Sequence, residues 1–275
     1  MTISGAMKFF RKSFADIDYE GVVVDVSTGG ATRDNLRDRK RYTRWESVGS
    51  LDATTETITI TFEEAKTMSR LLLVRHNWKA FDVQYWNGSA WTHFAAVVTK
   101  EGTQANITET VNAKATSYYE FTPVSAERLR IQVTTTMVVD AQKYAYEVIA
   151  TAELGTLTGY PVHQVRFGRT QAKKRTVRGM DKFTIFDEQY TSALSFQNYP
   201  TAADHTLMMT LWTGLEEFLI YPCGGDQAQY RFADLQGNRL EDVYLCWFED
   251  SFDPNYTQNV YQLGLNYTLG LVEVA

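Results

Sequence analysis

The strongest constraint on this chain is a run of β-type hydrophobic patterns packed into one short stretch. Residues 56–62 (ETITITF) alternate strictly, with Ile58, Ile60 and Phe62 on one face, as a half-buried strand requires. Residues 71–74 are then a continuous apolar run, suited to a strand buried on both faces. Phe81, Val83 and Tyr85 resume the alternation against Asp82 and Gln84. Asn87-Gly88 tolerates positive φ and predicts a two-residue hairpin turn, with the returning strand starting over residues 91–94. Trp45 and Trp91 are expected to be buried as large apolar plugs of the core. A chain organised around such a stretch is expected to be all-β.

Composition agrees. At 275 residues there is room for one large domain or two ordinary ones, and an aromatic share of 13% favours strands. A formal charge of −6 disfavours wholesale nucleic-acid binding, so no nucleic-acid partner is expected. No apolar run reaches the length of about 18 residues that a membrane span needs, so no membrane insertion is expected. The first residues lack the apolar stretch and small-residue cleavage site of a signal peptide, and assembly in a cytoplasm is expected. Cys223 and Cys246 are read as two small buried hydrophobes, with a disulfide between them as the alternative, and no zinc spacing surrounds them.

Along the chain, the alternation at Val22, Val24 and Val26 predicts an edge strand, followed by a polar loop that is strongly basic over residues 33–41. Strands are expected over residues 117–121 and 126–136, with Pro123 breaking the first, and again over residues 144–150. Residues 154–161, with two glycines and a proline, read as a linker. The domains are accordingly placed at residues 1–153 and 154–275. Beyond the linker the texture is β-rich with a single helix near residues 203–215, where Leu207, Leu211 and Leu215 recur at i, i+4 and i+8.

Three motifs carry a resemblance in the first half. Asp38 to Trp45 match the family's run before its first core tryptophan, Val83 to Trp91 its strand-and-hairpin motif, and Ala126 to Ile131 the alternating strand that follows. In that order they resemble the discoidin family, the galactose-binding-like jelly-roll β-sandwiches shared by clotting-factor C domains and many carbohydrate-binding modules. The resemblance implies a calcium site in many relatives, and Asp38, Thr43 and Glu147 fall on its ligand positions. Arg39 and Lys40 stand where the family has glycine and a second aspartate, so no tight calcium site is expected and Asp38 is expected to hydrogen-bond its own loop. Sugar-binding relatives use an arginine and asparagine at the corner after the first buried strand. Arg75, His76, Asn77 and Trp78 match that corner, with Trp78 placed to stack on a sugar; the alternative is local pairing and packing.

The second half resembles, in element order, the tail-tube-like domains of bacteriophage tail and baseplate proteins, a β-sandwich or barrel flanked by one helix. This implies partners that are other copies of the chain and other tail proteins, in a virion. Arg166, Arg169, Lys173, Lys174, Arg175 and Arg178 are the expected assembly contacts, a basic arm meeting acidic loops.

No catalytic arrangement is legible. Glu216-Glu217 and Asp187-Glu188 are neighbours along the chain and would point to opposite faces of a strand, and the four histidines show no nucleophile–base spacing. Gly29-Gly30 and Gly224-Gly225 lack the lysine-serine or helix that a phosphate cradle needs. No cofactor and no enzymatic activity are expected. The sequence therefore predicts a structural protein of a phage-type tail or baseplate that presents a surface-binding domain. The alternative is a carbohydrate-binding adhesin module for a host cell-surface glycan.

Overall fold

The computed structural model describes residues 8–40, 43–49, 51–99, 102–157, 162–175, 181–196, 202–214, 217–221, 244–248, 255–259 and 262–273. The chain divides into two compact units, one built on Arg11–Glu153 and the other on Leu154–Cys223 and Asp242–Ala275 together with Ala6–Phe10. Strand β1 (Lys8–Arg11) opens the chain and lies between strands of the second unit's sheet, so residues 8–10 belong there and not with residues 11–153. The regular structure among the described residues is strand, apart from one α-helix and one 3-10 turn.

The first unit runs β2 (Val23–Val26), a 3-10 turn (Gly30–Leu36), β3 (Trp45–Glu46), β4 (Glu56–Val74), β5 (Trp78–Trp86), β6 (Trp91–His93), β7 (Val97–Thr99), β8 (Gly102–Gln104), β9 (Thr108–Glu109), β10 (Ser117–Thr136), β11 (Tyr144–Ala145) and β12 (Glu147–Thr151). Two of these strands are far longer than the sequence suggests. β4 joins the alternating segment to the apolar run across exposed Glu63, Glu64 and Ala65, and β10 continues straight through Pro123. Proline has no N–H to give a ladder. A register shift between Glu120 and Val124 takes it up as an irregularity, so the strand runs on through Pro123 instead of ending there.

The main path is β12-β4-β10-β5-β6, with β2 against the first part of β4. Inward residues from both halves of the long strands enter one core. Ile58, Ile60 and Phe62 meet Leu71 and Leu73, with Phe81, Val83, Phe121, Leu129 and Ile131, so the sheet closes on itself as a β-sandwich. Two tryptophans are fully buried there, Trp45 and Trp78. Trp91 is not a core plug. It sits opposite Trp86 at the end of the β5–β6 hairpin, half-buried on the outer face. The pairing of Trp86 with Trp91 also leaves four loop residues, 87–90, instead of two. Asn87 closes the loop by accepting the N–H groups of Ser89 and Ala90 on its Oδ1, at 3.0 and 2.9 Å.

The second unit contains β13 (Glu153–Thr156), β14 (Val162–Arg175), β15 (Asp181–Phe196), α1 (Ala202–Gly214), β16 (Phe218–Tyr221), β17 (Tyr244–Phe248), β18 (Asn255–Asn259) and β19 (Gln262–Glu273). Its sheet order is β13-β1-β16-β17-β19-β15-β14, with β18 on β19. The helix falls where the leucine spacing predicts and buries Met208 and Leu211, and Gly155 lets Leu207 approach the backbone of β13 closely. Cys246 lies on β17, while Cys223 is outside the described residues, as is Leu215 of the leucine series.

Candidate functional site

The corner after the first buried strand is built as structure. Arg75 adopts a left-handed backbone (φ 48) and its guanidinium lies 5.9 Å from the Tyr146 ring centroid. His76 is 1% exposed; its Nδ1 accepts the N–H of Trp78 at 3.1 Å and its Nε2 lies 3.0 Å from Ser117 Oγ. Because Nδ1 accepts, Nε2 carries the proton and donates to the serine. Burial holds the pKa of this imidazole down to about 3, so it is neutral at any ordinary pH. Asn77 fastens the facing loop: Nδ2 donates to Gln142 O at 2.8 Å, and Oδ1 accepts from Tyr144 N at 2.9 Å. Trp78 is 0% exposed and packs on His76 and Phe81 at ring-centroid distances of 4.9 and 5.8 Å. A ring sealed in the core has no face for a sugar. Of the four corner residues, His76, Asn77 and Trp78 are buried and only Arg75 is more exposed, so Trp78 does not present the stacking face that the resemblance implies.

The loop before Trp45 is likewise self-satisfied. Asp38 accepts the N–H of Lys40 at 3.0 Å on one carboxylate oxygen and the Thr43 hydroxyl at 2.7 Å on the other. Glu147 begins β12, opposite Val74. Arg39, at the glycine position with φ 62, carries its guanidinium to Asp18 at 3.1 Å and to Asp16 at 3.5 Å. Burial raises the Asp16 carboxyl, against the Asp18 N–H and the Arg39 and Lys12 cations, which lower it. Among the described residues no three His, Cys, Asp or Glu side chains converge as a metal site. Of the basic arm, Arg166, Arg169, Lys173, Lys174 and Arg175 all fall on β14, and Arg178 is outside the described residues.

The arrangement that sequence reasoning missed is the outer face of the β4–β10–β5–β6 sheet. Register brings Arg130 opposite Gln84 and Gln84 opposite His93, while the hairpin pairs Trp86 with Trp91. A polar chain crosses the strands. Thr108 Oγ1 donates to Asp82 at 2.6 Å, and His93 Nδ1 lies 3.3 Å from the same carboxylate oxygen. His93 Nε2 is 3.2 Å from Gln84 Nε2, and Gln84 Oε1 accepts from Arg130 Nη2. This assigns His93 a proton on Nδ1 and turns the Gln84 amide nitrogen toward it. The Arg130 guanidinium lies 4.3 Å from the Trp91 ring centroid and Arg128 lies 5.8 Å from that of Trp86. The two indoles meet edge to face at 5.6 Å. Stacked arginines, indoles and an oriented amide on one sheet face make a surface that can bind hydroxylated ligands by stacking and hydrogen bonding. The signal was present in the alternation of Arg128 and Arg130, which puts both on one face; what misled was reading Trp91 as core.

The fold is an all-β discoidin-like sandwich followed by a second β-rich unit with one helix. No family model matches the chain, and no curated protein matches it. Solved structures to which it is similar include chitosan-binding module 1 of a chitosanase/glucanase from Paenibacillus sp. IK-5, at 18% identity and TM-score 0.39, covering 50% of this chain and 97% of the module. Others are CpGH89CBM32-6 of Clostridium perfringens, at 16% identity and TM-score 0.39 over 52% of this chain and 99% of that one, and the family 32 carbohydrate-binding module of C. perfringens NanJ in complex with galactose, at 12% identity and TM-score 0.38 over 53% and 98%. Each likeness spans about half of this chain and is one of backbone course.

Proposed function

We propose that the first unit is a carbohydrate-binding module without catalytic activity, and that it binds along the outer sheet face and not at the Arg75–Trp78 corner. The observation that carries this reading is the row of Trp86, Trp91, Arg128, Arg130 and Gln84, half-buried or exposed, on one face of the sheet. Indoles stack on the apolar faces of sugar rings, while guanidinium and amide groups hydrogen-bond the hydroxyls at the ring edges. The test is a glycan array probed with the full chain and with Trp86→Ala. Binding by the parent that is lost in the variant, at an unchanged melting temperature, supports the reading. An array on which the parent binds nothing overturns it.

A second reading, assembly into a phage-type tail or baseplate, is favoured by one observation in the other unit. β14 and β15 pair over Val162–Arg175, but β15 pairs with β19 only over residues 191–196. The remainder of the hairpin has no other strand partner among the described residues, and this overhang carries Lys173, Lys174 and Arg175. A hairpin with free edges is a template for another chain. Electron microscopy of the purified protein is expected to show rings, and the Lys173→Glu, Lys174→Glu, Arg175→Glu triple variant only single copies; a parent that is monomeric at all concentrations sinks this reading.

A further inference from the structure

The two arginines of the sheet face point to the class of sugar. Arg128 and Arg130 lie two residues apart on β10, so strand geometry puts their backbones about 7 Å apart on the same side. Neither makes an ion pair among the described residues, although the whole chain is acidic, with a formal charge of −6. Asp82, the acid nearest to them in the polar chain, is already held by Thr108 and His93. Asp25 shares the row of Arg130, but on β2, with β4 between them. Arg130 spends one Nη2 hydrogen on Gln84, and its buried Nε–H has no hydrogen-bond partner among the described residues. Arg128 is exposed, with its guanidinium over Trp86.

We infer that this face binds a carboxylate-bearing polysaccharide, a chain of uronic acid units. The inference rests on the carbohydrate reading above and deepens it. A uronic acid offers both features that the face requires. Its pyranose ring has an apolar face for an indole, and its carboxylate, at the ring edge, accepts the paired N–H groups of a guanidinium. Stacking on Trp86 and Trp91 already limits the freedom of both guanidiniums, which lowers the ordering cost of binding. A neutral sugar would leave the exposed Arg128 guanidinium without a charged acceptor, and a bare anion would leave the indoles unused.

The experiment is calorimetric titration of the full chain with alginate, with carboxyl-reduced alginate (the same backbone without charge) and with dextran sulfate. Alginate is expected to bind at least roughly tenfold more tightly than its reduced form, with affinity falling as salt rises. The Arg128→Gln, Arg130→Gln variant is expected to lose that difference and to retain the weaker binding of the reduced chain. Arg128→Gln alone, at an exposed position, is expected to show a partial loss and serves if the double variant does not fold. Equal binding of alginate and its reduced form, abolished by Trp86→Ala, overturns the acidic-sugar inference and leaves the carbohydrate reading standing. Dextran sulfate bound as tightly as alginate also overturns it, because the face would then be a general anion surface. No binding of alginate or its reduced form, together with a blank array, removes both.

Discussion

His76 Nδ1 accepts the backbone N–H of Trp78 at 3.1 Å, so the imidazole serves as the turn's own hydrogen-bond acceptor inside a closed core. That bond requires the neutral ring, and it converts a corner that resembles a sugar site into a hinge that orders the loops around it.

A pH dependence follows. The ordinary imidazole pKa of 6.5 is depressed to about 3 by burial in the fold. Below about pH 6.5 the unfolded chain takes up a proton that the folded chain refuses. Stability is therefore lost as pH falls from about 6.5 towards about 3, at up to about 1.4 kcal/mol per pH unit from this group. Urea unfolding at several pH values is expected to show a shallower acid slope for His76→Gln than for the parent. Parallel slopes would mean that His76 titrates freely.

The two tryptophans buried in the first unit are not equivalent. Trp45 Nε1 donates to Thr28 O at 3.1 Å, whereas Trp78 Nε1 is buried without a hydrogen-bond partner among the described residues. Trp45→Phe removes a satisfied bond and strands a carbonyl; Trp78→Phe removes an unsatisfied donor. The first is expected to cost about 1–2 kcal/mol more than the second. Denaturant midpoints in the opposite order would refute the assignment.

Asn77 holds the loop around residues 142–144 with both ends of its amide. Asn77→Ala is expected to cost about 2–4 kcal/mol and to expose residues 137–143 to limited proteolysis. An unchanged cleavage pattern would show that the loop is held by other contacts.

Glycine at position 29 is required twice over. Its φ is 71, and an added Cβ would lie 2.1 Å from the backbone oxygen of Glu46. Gly29→Ala is expected to destabilise the first unit by about 3 kcal/mol or more. At Gly88, φ is 97 but the space is open, and alanine there is expected to cost only about 1 kcal/mol. Similar melting temperatures for the two variants would contradict the close approach at position 29.

The alternation of Ile58, Ile60 and Phe62, the burial of Leu71, Leu72 and Leu73, the resumed strand at Phe81 and Val83 and the helix around Met208 were all legible in the sequence, because period and turn chemistry are local properties. The all-β class followed from them. Which tryptophan enters the core did not. Trp45, Trp78 and Trp91 are equally apolar, and only strand register puts Trp78 under the corner and Trp91 on the outer face beside Arg130. Pro123 likewise reads as a break until the facing strand supplies an irregular register in which no N–H is needed there. The candidate face joins residues more than thirty positions apart, from Asp82 to Arg130, through pairings that no local pattern encodes. Local chemistry determined the elements; long-range pairing decided which side chains face one another.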